Sequence, residues 1–155
     1  MRVDVRPAST GDVPVLVALM TAFYAESDFP LPAGPATRAF EALLADARLG
    51  GAWLAEVDGT AIGYVVLTLG FAMEYGGLRG CIDDLYVRQG ARGRGAAAAL
   101  LAAARDAAIG RGVRALQVEV GAENPIARRL YARAGYAESG HLLLTLPLAA
   151  PVHAA

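Results

Sequence analysis

The chain has 155 residues, 55% of them hydrophobic and 19% charged, with a formal net charge of −1. That length supports one domain, residues 1–155, with a core that needs neither disulfides nor a metal. The near-neutral balance excludes a generally basic nucleic-acid binder or membrane-surface binder.

Val3 to Arg6 alternates as a first strand, and Ser9-Thr10-Gly11-Asp12 supplies a helix start with Ser9 and Asp12 at capping-box spacing. Val13, Leu16, Leu19, Met20 and Phe23 follow at helical spacing, and Phe29 to Pro35 cannot continue that helix beyond about Asp28. Phe40, Leu43, Leu44 and Ala47 mark a second helix, closed by Gly50-Gly51. Ala52 to Val57 and Thr60 to Leu69 read as strands joined by the hairpin dipeptide Asp58-Gly59, the second apolar enough to be central and covered on both faces. Gly70, Gly76, Gly77 and Gly80 bracket Phe71 to Tyr75, a hairpin end that carries Phe71, Glu74 and Tyr75.

Cys81 to Val87 is the next strand, and an alanine-leucine tract from Ala96 is a helix that stops at Gly110 to Gly112. Val113 to Val120 is a strand. Asn124 then caps a helix with Pro125 in its first turn, Gly135 ends it, and Tyr136 leads to a last strand at Leu142 to Leu146. The order of elements is that of a mixed α/β domain around one sheet. One cysteine, Cys81, cannot form an internal disulfide, and MRVDVRP has no apolar signal core, so a reducing cytoplasm is expected. The longest apolar run, Ala61 to Met73, is too short and too glycine-punctuated to span a membrane.

Between strand and helix lies Arg92-Gly93-Arg94-Gly95-Ala96-Ala97. Glycines at 93 and 95 let the backbone curl so that N–H groups point inward at a helix start, where the helix dipole attracts phosphate. Arg88, Arg92 and Arg94 add cations whose forks suit phosphate oxygens. Gly93, Gly95 and Ala98, with Glu119 about twenty residues on, also fit a dinucleotide fingerprint. Against that reading stand the five residues between Val87 and Gly93, the single strand-helix-strand unit and the two arginines in the loop.

Asp83 and Asp84 lie on the strand that enters this loop. As neighbours on a regular strand they point to opposite faces, so only one of them can face a given site. On the later helix Ala127, Tyr131 and Ala134 share a face, with small residues beside the ring. His141 and His153 are isolated, no metal-ligand spacing occurs, and no nucleophile elbow or Cys/His pairing accompanies Cys81, so no metal is expected and direct transfer without a covalent enzyme intermediate is the simpler chemistry.

Arg92, Gly95 and Ala97 fit the cofactor signature of Arg or Gln, two residues, Gly, one residue, Gly or Ala; IDDLYV precedes it and NPIARRLYARAGY follows. In these motifs the sequence resembles the GNAT superfamily of N-acetyltransferases, most clearly over residues 51 to 138. The resemblance implies a central twisted, mixed but mostly antiparallel sheet of about six or seven strands flanked by about four helices. It implies acetyl-CoA as the acyl donor, with coenzyme A as product, held by Leu85, Tyr86, Val87, Arg92, Gly93, Arg94, Gly95, Ala96, Ala97, Asn124 and Ala127. It also implies a bulge-like opening of the strand near Leu85 to Val87.

Asp83 matches the family's substrate-facing glutamate, one methylene shorter, and is expected to bind the amine or to act as a base through water. Tyr131 matches the family tyrosine and is expected to protonate the departing thiolate. Asp84 reads as a structural carboxylate. The acceptor is expected to be a primary amine of a small molecule or protein, with Tyr24, Glu74, Tyr75 and Asp83 suited to a cationic one. Family members often dimerise through the sheet or last strand, which Leu142 to Leu146 would allow. The alternative is an acyl-CoA-binding module without turnover, with a dinucleotide-dependent oxidoreductase third.

Overall fold

The computed structural model describes residues 2–154. Among them a single sheet runs in the order β1 (Asp4–Pro7), β2 (Gly50–Val57), β3 (Thr60–Ala72), β4 (Gly77–Val87) and β5 (Ala115–Val118). The first four strands are antiparallel neighbours, and β5 joins β4 in parallel through a helical crossover. Helices α1 (Val13–Ala25) and α2 (Ala33–Ala45) cover one face, α3 (Ala96–Gly110) covers the other, and α4 (Pro125–Arg133) follows β5.

Period-two alternation sorts the side chains between the layers. Leu54, Tyr64, Val66 and Tyr86 pack with Leu16, Leu19, Met20 and Phe40 under α1 and α2. Trp53, Ala55, Val65, Leu67, Ile82 and Val87 pack with Leu100, Leu101 and Ala104 of α3. Residues 62–67 are buried, so β3 is the central strand its apolar sequence announces. The expected hairpin at Asp58-Gly59 has both residues at positive φ, 51° and 77°, which suits the twist of the strands it joins.

Three features depart from the sequence reading. The proline stretch ends α1 and also opens α2: Pro35 sits in the first turn of α2, where no intrahelical N–H is required. The sheet has five strands among the described residues, fewer than the six or seven expected, and Leu142 to Leu146 forms no strand. β3 runs on to Ala72 and β4 begins at Gly77, past the expected Leu69 and Cys81, so the hairpin end narrows to residues 73–76. Four antiparallel strands, with β5 alone joined in parallel, also exclude the doubly wound parallel sheet of a dinucleotide fold.

Gly50 opens β2 at φ 141°, and a Cβ there would lie 1.9 Å from the carbonyl oxygen of Leu67 on the central strand. Neither atom can yield without breaking the ladder. Gly50→Ala is therefore expected to cost about 3 kcal/mol or more, read as a lowered denaturant midpoint at unchanged slope.

Candidate active site

The site forms where two strands part. β4 and β5 pair from Arg79 with Ala115 to Ile82 with Val118; beyond that point β4 continues to Val87 while β5 ends. The fork encloses a cavity of about 190 Å³, lined by Phe23, by residues 82–85 of β4, by 118–121 after β5, and by Asn124, Ala127 and Tyr131. A wider depression of about 430 Å³ at Ala47, Arg48, Leu69, Leu78 and Arg111 holds none of the candidate residues.

A bulge in β4 shapes the β4 wall of the fork. Val66 pairs with Asp84 and Leu67 with Ile82, which leaves Asp83 as the extra residue. The bulge lies just before the expected Leu85 to Val87 opening, and it breaks the alternation on which the either-or reading of the two aspartates rested. Both carboxylates line the same cavity.

Their environments differ. Asp83 is exposed, whereas Asp84 is partly buried and accepts a 2.9 Å hydrogen bond from the Tyr64 hydroxyl, whose ring packs in the α1/α2 layer. Burial pushes the Asp84 carboxyl up to about 6; the Tyr64 hydrogen bond opposes the rise and the charge of Asp83 adds to it. A carboxyl balanced near neutrality at the end of a cleft is suited to accept a proton. Tyr24 belongs to this neighbourhood: burial raises its phenol, with Asp84 and Asp83 next among the causes.

Asn124 accepts a 3.1 Å hydrogen bond from the Ala127 N–H and caps α4, as its sequence predicts. The cap orients the helix so that Asn124, Ala127 and Tyr131 all reach the fork. Tyr131 packs edge-on against Tyr136 with ring centres 5.5 Å apart. Burial pushes its phenol up to about 12, helped by Tyr136, Asp84 and Cys81, so it carries its proton throughout the neutral range.

Past the C-terminal end of β4, Gly93 and Gly95 adopt positive φ of 79° and 82°, and Gly95 is the N-cap of α3. Having no side chain, Gly95 leaves the first N–H groups of α3, from Ala96 and Ala97 onward, uncapped and available to an anion. Arg94 lies between the two glycines and is exposed. Arg92 is differently employed from its expected side-chain role. Its Nη2 pairs with both Glu26 oxygens at 2.7 and 2.8 Å, its Nε donates to the Val87 carbonyl at 2.9 Å, and it lies over the Tyr86 ring. It clamps the loop to the end of α1.

Tyr86 also departs from expectation, because its ring is buried and stacks on Phe23 with centroids 5.3 Å apart. Tyr86 does not line the cavity, whereas Leu85 does. Glu74 and Tyr75 sit at the β3–β4 turn, about 20 Å along β4 from Asp83 at strand rise. They are not brought to the fork. The sequence reading does not pick out Phe23, Tyr64 or Glu26 as site residues, and it places Glu119 only in the dinucleotide fingerprint, whereas Glu119 lines the fork. A single phenol in the aliphatic run of β3 is a legible signal for Tyr64; Glu26 has none, since its partner is 66 residues away.

The fork thus brings together a carboxyl raised toward neutrality, an exposed carboxyl and a protonated phenol, and the glycine-rich start of α3 lies past the end of β4. The sequence profile of the Acetyltransferase (GNAT) family matches residues 16–136. An integron cassette protein from the mobile metagenome of Cole Harbour Salt Marsh is 51% identical, with a TM-score of 0.90 over 96% of this chain and 93% of that one. A ribosomal-protein-alanine N-acetyltransferase from Brucella melitensis biovar Abortus 2308 is 27% identical, TM-score 0.74, over 94% and 99%. A predicted acetyltransferase with acetyl-CoA from Clostridium acetobutylicum shares the fold at 20% identity, TM-score 0.78, over 94% and 96%. No curated protein matches the sequence at a significant level. No helix among the described residues is long and apolar enough to cross a membrane. With the profile spanning most of the chain and the fork in place, the chain belongs to the GNAT family of acetyltransferases.

Proposed function

We propose that this protein transfers the acetyl group of acetyl-CoA directly to a primary, cationic amine of a small molecule or protein. The observation that carries the reading is the fork, where Asp83, Asp84, Asn124 and Tyr131 line one cavity. The diphosphate of the donor binds at the glycine-rich start of α3, through the main chain of Gly93 to Ala97 with Arg94 beside it. Its arm runs along the main chain of Leu85, Tyr86 and Val87 toward Asn124 and Ala127. Arg92 acts from behind this surface, holding the loop through Glu26.

An ammonium has no lone pair, so it must lose a proton before it attacks a thioester. Asp83, exposed at the cavity, binds the cation; Asp84 takes the proton directly or through a water. This division revises the sequence expectation, in which Asp83 was the candidate base. The carboxyl group near neutrality is Asp84. The amine nitrogen then bonds to the acetyl carbon, the carbon–sulfur bond breaks, and Tyr131 gives its proton to the leaving thiolate. Tyr24 contributes an aromatic wall toward the two aspartates, and Glu119, also at the fork, adds a third carboxylate that favours a positively charged acceptor. The single thiol, Cys81, is unpaired and suits a reducing compartment such as the cytoplasm.

Donor binding is tested by thermal unfolding with acetyl-CoA, coenzyme A or NAD at one common concentration, set at about a hundred times the acetyl-CoA dissociation constant, where a bound ligand stabilises the native state by about 2.7 kcal/mol. For a domain of this size the midpoint should rise by about 5–11 °C with the first two and stay fixed with NAD. Thiol release is then followed over a panel of amines. Binding of acetyl-CoA with no turnover on any amine would replace the enzyme by an acyl-CoA-binding module.

A further inference from the structure

We propose that Tyr64 is a positioning residue for the transfer: its hydroxyl holds one oxygen of Asp84, leaves the other to take the proton of the amine, and sets the pH above which Asp84 can do so. This role rests on Asp84 being the base. Tyr64 itself lies too deep to touch either substrate, at 0% exposure, and acts through the carboxyl it holds.

Core packing accounts for the ring of Tyr64 but not for its hydroxyl. The ring belongs to the cluster of Leu16, Leu19, Leu54 and Phe40, edge-on to Phe40 with centroids 6.1 Å apart and tilted against Tyr86 at 6.4 Å. A phenylalanine would fill the same space. A buried hydroxyl costs free energy unless it is hydrogen-bonded, and this one donates to Asp84 Oδ2 at 2.9 Å. The register makes the reach possible. Tyr64 pairs with Tyr86 and Val66 with Asp84, so Tyr64 and Asp84 are diagonal neighbours on one face of the sheet, about 7–8 Å apart, a span that a long aromatic side chain can bridge.

The two oxygens of Asp84 are thereby given different tasks. Oδ2 is occupied by Tyr64, whereas Oδ1 accepts no hydrogen bond from the described residues and is not sealed from solvent, since no unpartnered side-chain oxygen among them is fully buried. Oδ1 is therefore the oxygen that can meet a proton in the cavity that Asp84 lines. The bond also fixes the rotation of the carboxyl, which a general base needs in order to present its lone pair.

The groups around Asp84 give the hydroxyl its effect on pH. Asp83 on β4, Tyr24 on α1 and Tyr131 on α4 all bear on it electrostatically, and Glu119 lines the same cavity. None of these is a cation. Burial and the charge of Asp83 favour the protonated carboxyl, and the Tyr64 hydrogen bond favours the carboxylate. Burial and Asp84 raise the Tyr64 phenol well above its ordinary value, so it remains a donor throughout. Without it, the carboxyl should keep its proton past neutrality.

Tyr64→Phe keeps the ring and removes the hydrogen bond. The acid limb of the kcat/KM profile, expected at about pH 6 in the wild type, should move up by about one to two pH units, the size of a hydrogen bond to a charged group. The loss should be about two- to tenfold at pH 7 and should close by about pH 9. A residue that only packs would leave the limb in place. Carboxyl carbon-13 NMR of the protein without substrates, with the Asp84 signal assigned by Asp84→Asn, reads the same shift independently of turnover. Because the single variant strips a donor from a partly buried carboxyl, Tyr64→Phe is also measured in the Asp84→Asn background, where it should cost less than about twofold if it acts through Asp84. An Asp84 signal that does not move, or a large further loss in that background, would overturn the proposal and leave Asp84 as the base. A signal that moves while the limb stays would show that Asp84 is not the base, and the role of Tyr64 in transfer would fall with it.

Discussion

Asp84→Asn is expected to lower kcat/KM for amine acetylation by about 10²–10⁴-fold, the range for loss of a positioned general base. The thermal shift with acetyl-CoA should persist, because the helix start proposed to take the diphosphate is elsewhere on the chain. The pH profile gives the sharper test. A base works only when ionised, so the wild-type rate should fall as pH drops through about 6, where burial holds the Asp84 carboxyl. That limb should vanish in the variant. If it stays, Asp84 is not the base and Asp83, acting through water, takes its place.

The same substitution should stabilise the fold. Asn is close in shape and its carbonyl can still accept the Tyr64 hydroxyl. A carboxyl with a native value near 6, against about 3.9 when unfolded, favours the native state fully only below the unfolded value. That contribution is lost as pH rises through about 6. At neutral pH the buried charge thus costs about 2–3 kcal/mol, which Asn removes. Chemical denaturation at pH 7.5 and pH 4 should show the variant ahead at the higher pH and level at the lower. A gain in stability with a loss of turnover is the signature of a strained functional group.

Tyr131→Phe is expected to cut kcat about 10²-fold with little change in acetyl-CoA binding. The ring, its packing on Tyr136 and the small residues beside it all remain, so the change isolates the proton. Because burial holds the phenol near 12, wild-type kcat should show no alkaline fall across the ordinary assay range. A thioester with an aryl leaving group, which departs without help, should narrow the gap between wild type and variant. Equal loss on both thioesters would mark Tyr131 as a packing residue and remove it from the mechanism.

Much of this was legible in the chain because local chemistry decided it. Asp58-Gly59 fixed a hairpin, Asn124-Pro125 a helix start, and the apolar run from Ile62 to Leu67 a central strand, each through backbone preferences or burial that act within a few residues. The spacing of Arg92, Gly95 and Ala97 marked the loop that opens α3, since positive φ at Gly93 and Gly95 is a property glycine brings with it. By contrast, the Leu142 to Leu146 strand was read from composition alone, and strand formation also requires a partner edge within reach.

The amino-acid sequence therefore determined the order of elements, the two-sided core and the loop that opens α3. Tertiary structure decided the chemistry at the fork. Strand alternation assigned Asp83 and Asp84 to opposite faces, but a bulge set by the register against Val66 and Leu67 brought both to one cavity. Which carboxyl sits near neutrality depended on burial beside Tyr64, 20 residues away, and the role of Arg92 on Glu26, 66 residues away. Desolvation and charge pairing act through space, so their outcome is fixed only when the chain has folded.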